Sequence, residues 1–165
     1  MLRYLMTRQA PVRVTDVAAE LRLSVPAASQ YLRTLNSRGL LKATRRSRHV
    51  FYELQSDPTL PSTEALLQAL RCALGARDKS AESVFKDLTG FTHPRRVALL
   101  RAVAQGAYRV EDMRNRIAAS QRATLRHARK LVHRGYLVKH KDGYRVAKPR
   151  SRFAQTLMKI AMASH

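Results

Sequence analysis

The stretch "LSVPAASQYLRTLNSRGLL", residues Leu23 to Leu41, has the start and stop signals of one amphipathic helix. Ser24 is a favoured N-cap residue, and Pro26 is tolerated in the first turn of a helix. Gly39 stands where a left-handed residue ends a helix. The apolar residues between these signals recur at the spacing of one helix face: Ala28, Leu32 and Leu35. The stretch therefore predicts a capped helix that packs on a core.

The same layout occurs a second time, 96 positions later, in "ASQRATLRHARKLVHRGYL", residues Ala119 to Leu137. Aligning residues 13–41 with residues 109–137 without a gap gives 10 identities in 29 positions. The identities include the helix cap, the helix stop and core positions. An internal repeat of a whole folding unit is the simplest explanation.

Each copy predicts three helices followed by a β-hairpin. In the first copy, Thr15 or Asp16 is expected to cap the short second helix, and the hairpin has a basic tip at Arg45–Arg48. In the second copy, Asp142–Gly143 is a strong signal for a two-residue hairpin turn. This order describes a winged helix-turn-helix. We expect a mainly α fold with small β-hairpin wings, made of two tandem winged helix-turn-helix units joined by a helical connector.

The predicted boundaries follow the repeat and the segments outside it. They are residues 1–58 for the first unit, 59–90 for the connector, 91–148 for the second unit and 149–165 for a C-terminal helix. The connector predicts two helices with these apolar residues: Leu66, Leu70 and Leu74 before Gly75, then Val84, Phe85 and Leu88 after a cap at Ser80. The C-terminal helix has one apolar stripe: Phe153, Leu157, Ile160 and Ala161.

The charge is concentrated in the two repeated segments. The chain of 165 residues has 32 Lys and Arg against 11 Asp and Glu, a net charge of +21. Residues 1–60 contain 10 basic and 4 acidic side chains, residues 61–92 contain four of each, and residues 93–165 contain 18 basic and 3 acidic ones. Such a surface attracts polyanions, of which nucleic acid is the commonest.

Other classes of protein are disfavoured by the composition. No apolar run approaches the roughly 20 residues of a spanning helix, and the arginines of the first residues do not fit a signal peptide. The single Cys72 excludes an internal disulfide, fits a reducing compartment, and is expected to be a small buried hydrophobe. The sequence has no phosphate loop, catalytic triad or paired carboxylates, so we expect neither an enzyme nor a cofactor. The expected location is the cytoplasm, in association with the nucleoid.

The third helices and the hairpins contain the candidate DNA-binding residues. In a helix-turn-helix the second helix of the motif lies in the major groove, where Gln suits adenine and Arg suits guanine. The candidates on the first copy's third helix are Val25, Pro26, Ser29, Gln30 and Arg33. Those on the second copy's third helix are Gln121, Arg122, Arg126 and Arg129. The hairpins add candidate phosphate or minor-groove contacts: Arg45, Arg46, Arg48 and His49 in one, and Lys139, His140, Lys141 and Arg145 in the other. The alternative for these basic residues is a solvated face.

The first motif followed by "RRSRHVFYEL", residues 45–54, resembles the arsenic-repressor (ArsR-type) family of regulators. "FTHPRRVALLRAV", residues 91–103, is similar to that family's opening helix. The resemblance covers residues 2–54 and 91–146. It implies transcription regulation, with flanking helices that build a two-fold dimer, here either a homodimer or an intramolecular pseudo-dimer. The family's metal-sensing cysteines are missing from "RVTDVAAEL", and His127 and His133 are six positions apart, so no metal site is expected.

Three functions remain open from the sequence, with double-stranded DNA as the leading partner and no membrane. The first is a sequence-preferring regulator whose units contact two half-sites about one helical turn, roughly 34 Å, apart. The second is an architectural or replication-type DNA binder with little sequence preference. The third is a protein-docking tandem winged helix, which does not need basic recognition helices. RNA stays open because attraction to phosphate does not select the polymer.

Overall fold

The computed structural model describes residues 1–60, 62–75 and 80–163, which form two compact units, 1–75 and 76–165. Parts of the predicted connector (61 and 76–79) and of the predicted C-terminal helix (164–165) lie outside the described residues. The predicted mainly helical fold with small antiparallel hairpins is confirmed, and it is consistent with a winged helix-turn-helix. Within the described ranges, no helix is both long and apolar enough to cross a bilayer.

The described part of the first unit has four helices and a three-stranded sheet whose short first strand lies between the first two helices. Its elements are α1 (Leu2–Met6), β1 (Val12–Arg13), α2 (Val14–Glu20), α3 (Val25–Ser37), β2 (Lys42–Arg46), β3 (His49–Glu53) and α4 (Thr63–Gly75). The sheet is antiparallel with the strand order β1-β3-β2. Val12 pairs with Tyr52, and Thr44 pairs with Phe51. The core under α3 consists of buried residues from α1, β1, α2, α3 and β3, together with Leu41 just before β2: Leu5, Val12, Val17, Ala18, Ala28, Leu32, Leu41 and Tyr52.

The described part of the second unit begins with one helix, which is followed by three helices, a hairpin and a last helix. Its elements are α5 (Ala81–Leu88), α6 (Pro94–Ala104), α7 (Val110–Arg116), α8 (Gln121–His133), β4 (Leu137–His140), β5 (Gly143–Val146) and α9 (Arg152–Ala163). β4 and β5 form a two-stranded antiparallel sheet. The largest fully buried residues of its core lie on α6, α7, α8 and β4, with Tyr136 in the turn before β4: Leu99, Leu100, Met113, Leu131, Tyr136 and Leu137.

The third helices begin and end where the sequence predicted. Ser24 accepts a hydrogen bond from the Ala27 N–H at 3.3 Å, and Ser120 accepts one from the Ala123 N–H at the same distance. Gly39 and Gly135 follow the helix ends with φ of +71° and +77°. These caps hold the first turns of α3 and α8, which are the turns expected to be nearest to DNA.

The two serine caps predict a matched loss of stability in the two units. Because the N-cap oxygen satisfies an N–H that otherwise has no helical partner, Ser24→Ala and Ser120→Ala are each expected to lower the free energy of unfolding by about 1 kcal/mol. Urea unfolding followed by circular dichroism measures the change. Ser24→Asn and Ser120→Asn, which retain a side-chain acceptor, are the controls. Alanine variants as stable as the wild type would contradict a capping role.

The predicted cap of the second helix was wrong. The N-cap residue of α2 is Arg13, and neither Thr15 nor Asp16 occupies that position. The Asp16 carboxylate instead accepts a hydrogen bond from the Arg13 N–H at 3.2 Å, from within the first turn. The Arg13 guanidinium also lies 3.2 Å from Asp16, and this hydrogen bond lowers the pKa of the Asp16 carboxyl. The helix therefore begins earlier than its acidic residue suggested.

The predicted position of the hairpin turn in the second unit was wrong by one residue. His140 pairs with Gly143, so the turn residues are Lys141 and Asp142, and Gly143 begins β5. A Cβ atom at Gly143 would lie 2.3 Å from the carbonyl oxygen of Tyr108, and φ at this position is +148°. The glycine is required because the chain before α7 crosses the end of the hairpin. Here the Tyr144 N–H donates to the Tyr108 carbonyl at 2.8 Å.

Two predicted apolar positions lie on the outside of their helices. Cys72 is exposed, because the buried face of α4 consists of other residues: Thr63, Leu67, Leu70 and Ala73. The predicted Leu66 and Leu74 are only half-buried on the margins of that face. Phe85 is 66% exposed, since Val84 is the buried residue of α5. In α9, by contrast, the predicted Phe153, Leu157 and Ala161 are buried.

Candidate nucleic-acid interface

Helix α3 presents all five of its candidate residues on one surface. They line a shallow concave surface together with two residues that the sequence analysis did not select, and we call this set the α3 face: Val25, Pro26, Ser29, Gln30, Arg33, Thr34 and Ser37. Ser29 is half-buried, and the other candidates are exposed, with Val25 at 50%. The spacing 30, 33, 34 and 37 is that of one helix face, so helical periodicity was the signal for the two missed residues.

The chemistry of the α3 face suits the edges of base pairs. Gln30 offers a donor and an acceptor, Arg33 offers a fork of donors, and Val25 offers a methyl surface. The hydroxyls of Thr34 and Ser37 donate to helix carbonyls, Thr34 to Gln30 at 2.8 Å and Ser37 to Thr34 at 3.0 Å. The polar groups that remain available on this face are therefore mainly those of Gln30 and Arg33.

The hairpin of the first unit carries its cations at the tip. The β2–β3 turn lies between Arg46 and His49, which pair across the sheet. Strand alternation puts Arg46 and His49 on one face of the ribbon and Arg45 on the other. The Arg46 guanidinium lies 5.5 Å from the centre of the Phe51 ring, and Arg45 donates to the Ser47 carbonyl at 3.4 Å. Arg33, Arg45, Arg46 and Arg48 form no ion pair with a carboxylate in the part of the unit that the structure describes.

Helix α8 separates its four candidate residues into two groups. Arg122, Arg126 and Arg129 line a cleft between α8 and the N-terminal end of α6. We call it the α8 cleft, and its full lining is His93, Arg96, Arg122, Arg126, His127, Arg129, Lys130 and His133. Gln121 lines a different concavity, with Arg109, Glu111 and Arg114. The α8 cleft contains no acidic lining residue, so its field attracts anions.

The sequence analysis missed five members of the α8 cleft. His93 caps α6 and Arg96 lies on it, so only the fold brings them next to α8. Lys130 and His133 follow Arg126 and Arg129 at helical spacing. The fifth, His127, is 3% exposed. Burial, followed by the charges of His93 and the neighbouring arginines, lowers the pKa of His127. The neutral imidazole is therefore favoured at this position.

The hairpin of the second unit distributes its cations differently. Lys139, His140, Lys141 and Arg145 are exposed. Lys139 pairs with Tyr144 and Val138 with Arg145, so Lys139 and Arg145 extend from opposite faces of the ribbon. Arg145 also lies 2.9 Å from Asp142, and this hydrogen bond lowers the pKa of the Asp142 carboxyl. Arg145 is therefore partly engaged within its own hairpin.

Comparison with known protein families identifies a helix-turn-helix domain in the first unit. Residues 1–45 match the family model of the IclR helix-turn-helix domain. No curated protein matches the chain. The match runs from α1 into β2 and contains α3 with its five candidate residues. A helix-turn-helix domain indicates DNA binding, as in a regulator of transcription, and regulators of this kind are typically not enzymes.

The expected ArsR-type family was wrong, because the matching domain is of the IclR type. The residues behind that expectation were a serine cap, core residues at helical spacing, a glycine stop and a basic hairpin. Each of these features is expected in any winged helix-turn-helix, because it caps, packs or ends a helix or forms the hairpin. They identify the fold and do not separate its families.

Among the described residues, no three His, Cys, Asp or Glu side chains are grouped so that they could hold a metal ion.

Proposed function

We propose that the chain is a transcription regulator that reads duplex DNA with the α3 face in the major groove. The first hairpin contacts the backbone or minor groove through Arg45, Arg46, Arg48 and His49. Residues 91–148 act as a second winged helix-turn-helix unit, with 59–90 as connector and 149–165 as a closing helix. The second unit's proposed contacts are Gln121, Arg122, Arg126 and Arg129 on α8, and Lys139, Lys141 and Arg145 on its hairpin.

The observation that carries the proposal is the α3 face within the matched helix-turn-helix domain. An exposed Gln30 and Arg33 on the same capped helix supply two side chains that discriminate bases, and Val25 near the N-terminal end supplies an apolar contact for a thymine methyl. No acidic residue lies in the first turn of α3. The helix can therefore approach a polyanion without repulsion at its N-terminal end.

The proposal of two tandem units is supported by the order of elements in the second unit and by its sequence repeat of the first. α6, α7 and α8 are followed by the β4–β5 hairpin, in the order that α1, α2 and α3 have before β2–β3. α8 differs from α3 in presenting Arg122 and Arg126 where α3 presents Pro26 and Gln30. Two units in one chain fit a pseudo-dimer on two half-sites, and a homodimer is the alternative assembly.

An architectural DNA binder with little sequence preference is the second candidate. The observation that favours it is the α8 cleft, where five Arg and Lys side chains line one depression. Guanidinium and ammonium groups hold phosphate without reading sequence unless they also reach base edges. In this candidate both units hold the backbone, and the α3 face contributes no discrimination.

Selection from random duplex DNA, followed by sequencing of the retained molecules, separates the candidates. A motif with two spaced half-sites supports the regulator with both units reading DNA, and a single half-site assigns reading to one unit. Retention without a motif favours the architectural binder. Absence of binding to duplex DNA would overturn both and leave RNA or a protein partner.

Arg33→Gln is expected to relax the selected motif at one base pair and to weaken binding by about 1–3 kcal/mol, or about 5-fold to 150-fold. The reason is that a bidentate contact to guanine needs the guanidinium fork, which glutamine lacks. Anisotropy titrations on the selected site and on single-base variants measure both effects. Arg38→Gln removes the same charge from the exposed C-cap position of α3 and is the matched control. Equal discrimination by wild type and Arg33→Gln would contradict base reading by Arg33.

A further inference from the structure

The α8 cleft contains a pair of histidines in direct contact. The rings of His93 and His127 have their centres 4.6 Å apart, with 47° between the ring planes. His93 is the N-cap residue of α6, and its Nδ1 accepts a hydrogen bond from the Arg95 N–H at 3.1 Å. The neutral His93 ring therefore carries its proton on Nε2. The pair joins the N-terminal end of α6 to the middle of α8.

His127 has a buried nitrogen that is not satisfied. Its Nε2 has no hydrogen-bond partner among the described residues. The residue is also buried, with only 3% of its surface exposed. A buried polar atom without a partner costs free energy, and such atoms are uncommon in folded proteins.

The charges that surround this pair all have the same sign. Arg95 and Arg96 act on His127 from α6, and Arg126 acts on it from α8. The side chain of Arg96 is held in place, since its Nε donates to the Gly90 carbonyl at 3.0 Å and its Nη2 donates to Thr92 Oγ1 at 2.7 Å. A proton on the His127 imidazole is opposed by these cations. An anion in the cleft would reverse that opposition and favour the proton.

We propose that the α8 cleft binds a phosphate group and that binding is coupled to uptake of a proton by the His93–His127 pair. Guanidiniums suit a tetrahedral oxyanion because their donors form a planar fork. The bound anion stabilises the charged pair, and by linkage the charged pair strengthens anion binding. The proton belongs to the pair and not to one ring, because the two rings are in contact. This inference deepens the proposed function, since a DNA backbone is one source of phosphate.

Sulfate is a suitable probe because its charge does not change across the range in which histidine titrates. Calorimetric titration of the full chain at about pH 5 and about pH 8 measures affinity at each pH, and the range extends well below the ordinary histidine pKa of about 6.5 because the pKa of His127 is lowered. Parallel titrations in two buffers of different ionisation enthalpy count the protons taken up. If one proton is taken up on binding, the affinity for sulfate is expected to rise by up to about tenfold for each unit by which the pH falls.

Three variants test the assignment. His93→Asn retains a capping side chain for α6 and removes one ring of the pair, so it is expected to abolish most of the pH dependence. Arg126→Gln is expected to weaken sulfate binding at both pH values. Arg114→Gln lies on α7 outside the cleft and is the control for loss of one positive charge. Circular dichroism establishes that each variant is folded.

The proposal is overturned if wild type binds sulfate equally well at both pH values, or if His93→Asn keeps the pH dependence. Competition between sulfate and a random-sequence duplex would identify the backbone of DNA as the source of the phosphate. Sulfate binding that the duplex does not displace would identify a free phosphate-bearing molecule. Because the sulfate titrations contain no DNA, failure of base reading by the α3 face would leave their result unchanged.

Discussion

Binding to duplex DNA is expected to weaken by a factor on the order of 10³–10⁵ when salt rises from about 50 to about 200 mM, if 6–10 phosphates are neutralised. The physical reason is that each phosphate neutralised by Lys or Arg releases condensed counterions, and added salt reduces that entropic gain. The net charge of +21 and the concentration of basic residues on α8 and both hairpins supply enough cations for such a number of contacts. Anisotropy titrations of a labelled duplex at several salt concentrations give the slope of log affinity against log salt.

Variants of the two hairpins locate the contacts that produce this slope. Each lost phosphate contact should reduce its magnitude by about 0.9. Replacing Arg45, Arg46 and Arg48 together by Gln is therefore expected to reduce the slope by up to about 3. Replacing Lys139, Lys141 and Arg145 by Gln is expected to reduce it less, because Arg145 is engaged with Asp142. If neither triple variant changes the slope, the hairpins do not contact the DNA backbone.

Leu32→Ala is expected to lower the free energy of unfolding of the first unit by about 2–5 kcal/mol. Leu32 is fully buried, and its side chain joins α3 to a core that includes Leu5, Val17 and Tyr52. Truncation removes transfer free energy and leaves a cavity that the surrounding helices fill only in part. Urea unfolding measures the loss, and hydrogen exchange of the α3 amides shows whether this helix is released.

Leu32→Met is the matched control for the cavity. It retains most of the side-chain volume, so a cost below about 1.5 kcal/mol is expected. If alanine and methionine variants are equally stable, Leu32 does not anchor α3. If α3 is anchored as described, the alanine variant should also lose binding to the selected DNA site under conditions that partly unfold the first unit, although Leu32 itself faces the core.

The third helices were predictable because their signals are local. A serine cap, apolar residues at helical spacing and a glycine stop act within a few residues of one another, and the structure places Ser24, Ser120, Gly39 and Gly135 in those roles. The five candidates on α3 share a surface for the same reason. A helix fixes which of its own residues lie together, whatever the rest of the chain does.

The features that the sequence did not reveal depend on contacts between distant segments. β1 has only two residues, and it is a strand because β3 supplies its partners. Gly143 is required by the approach of Tyr108, a contact across 35 positions, and not by the turn that its sequence suggested. Phe85 and Cys72 lie on helices with apolar residues on more than one side, so tertiary packing decided which side was buried. Arg96 joined the α8 cleft only through folding.

The strand order of the first unit has a consequence for how loss-of-binding variants should be designed. β2 is the outer strand of its sheet, so its unpaired backbone groups offer an edge to which a strand from another molecule can add. Lys42, Arg45 and Arg46 lie along this edge, where like charges on two approaching molecules repel each other. The residues proposed to attract DNA thereby also oppose the addition of a strand at this edge. Replacing them with alanine would remove both properties at once, whereas glutamate would abolish attraction to DNA and keep the edge charged.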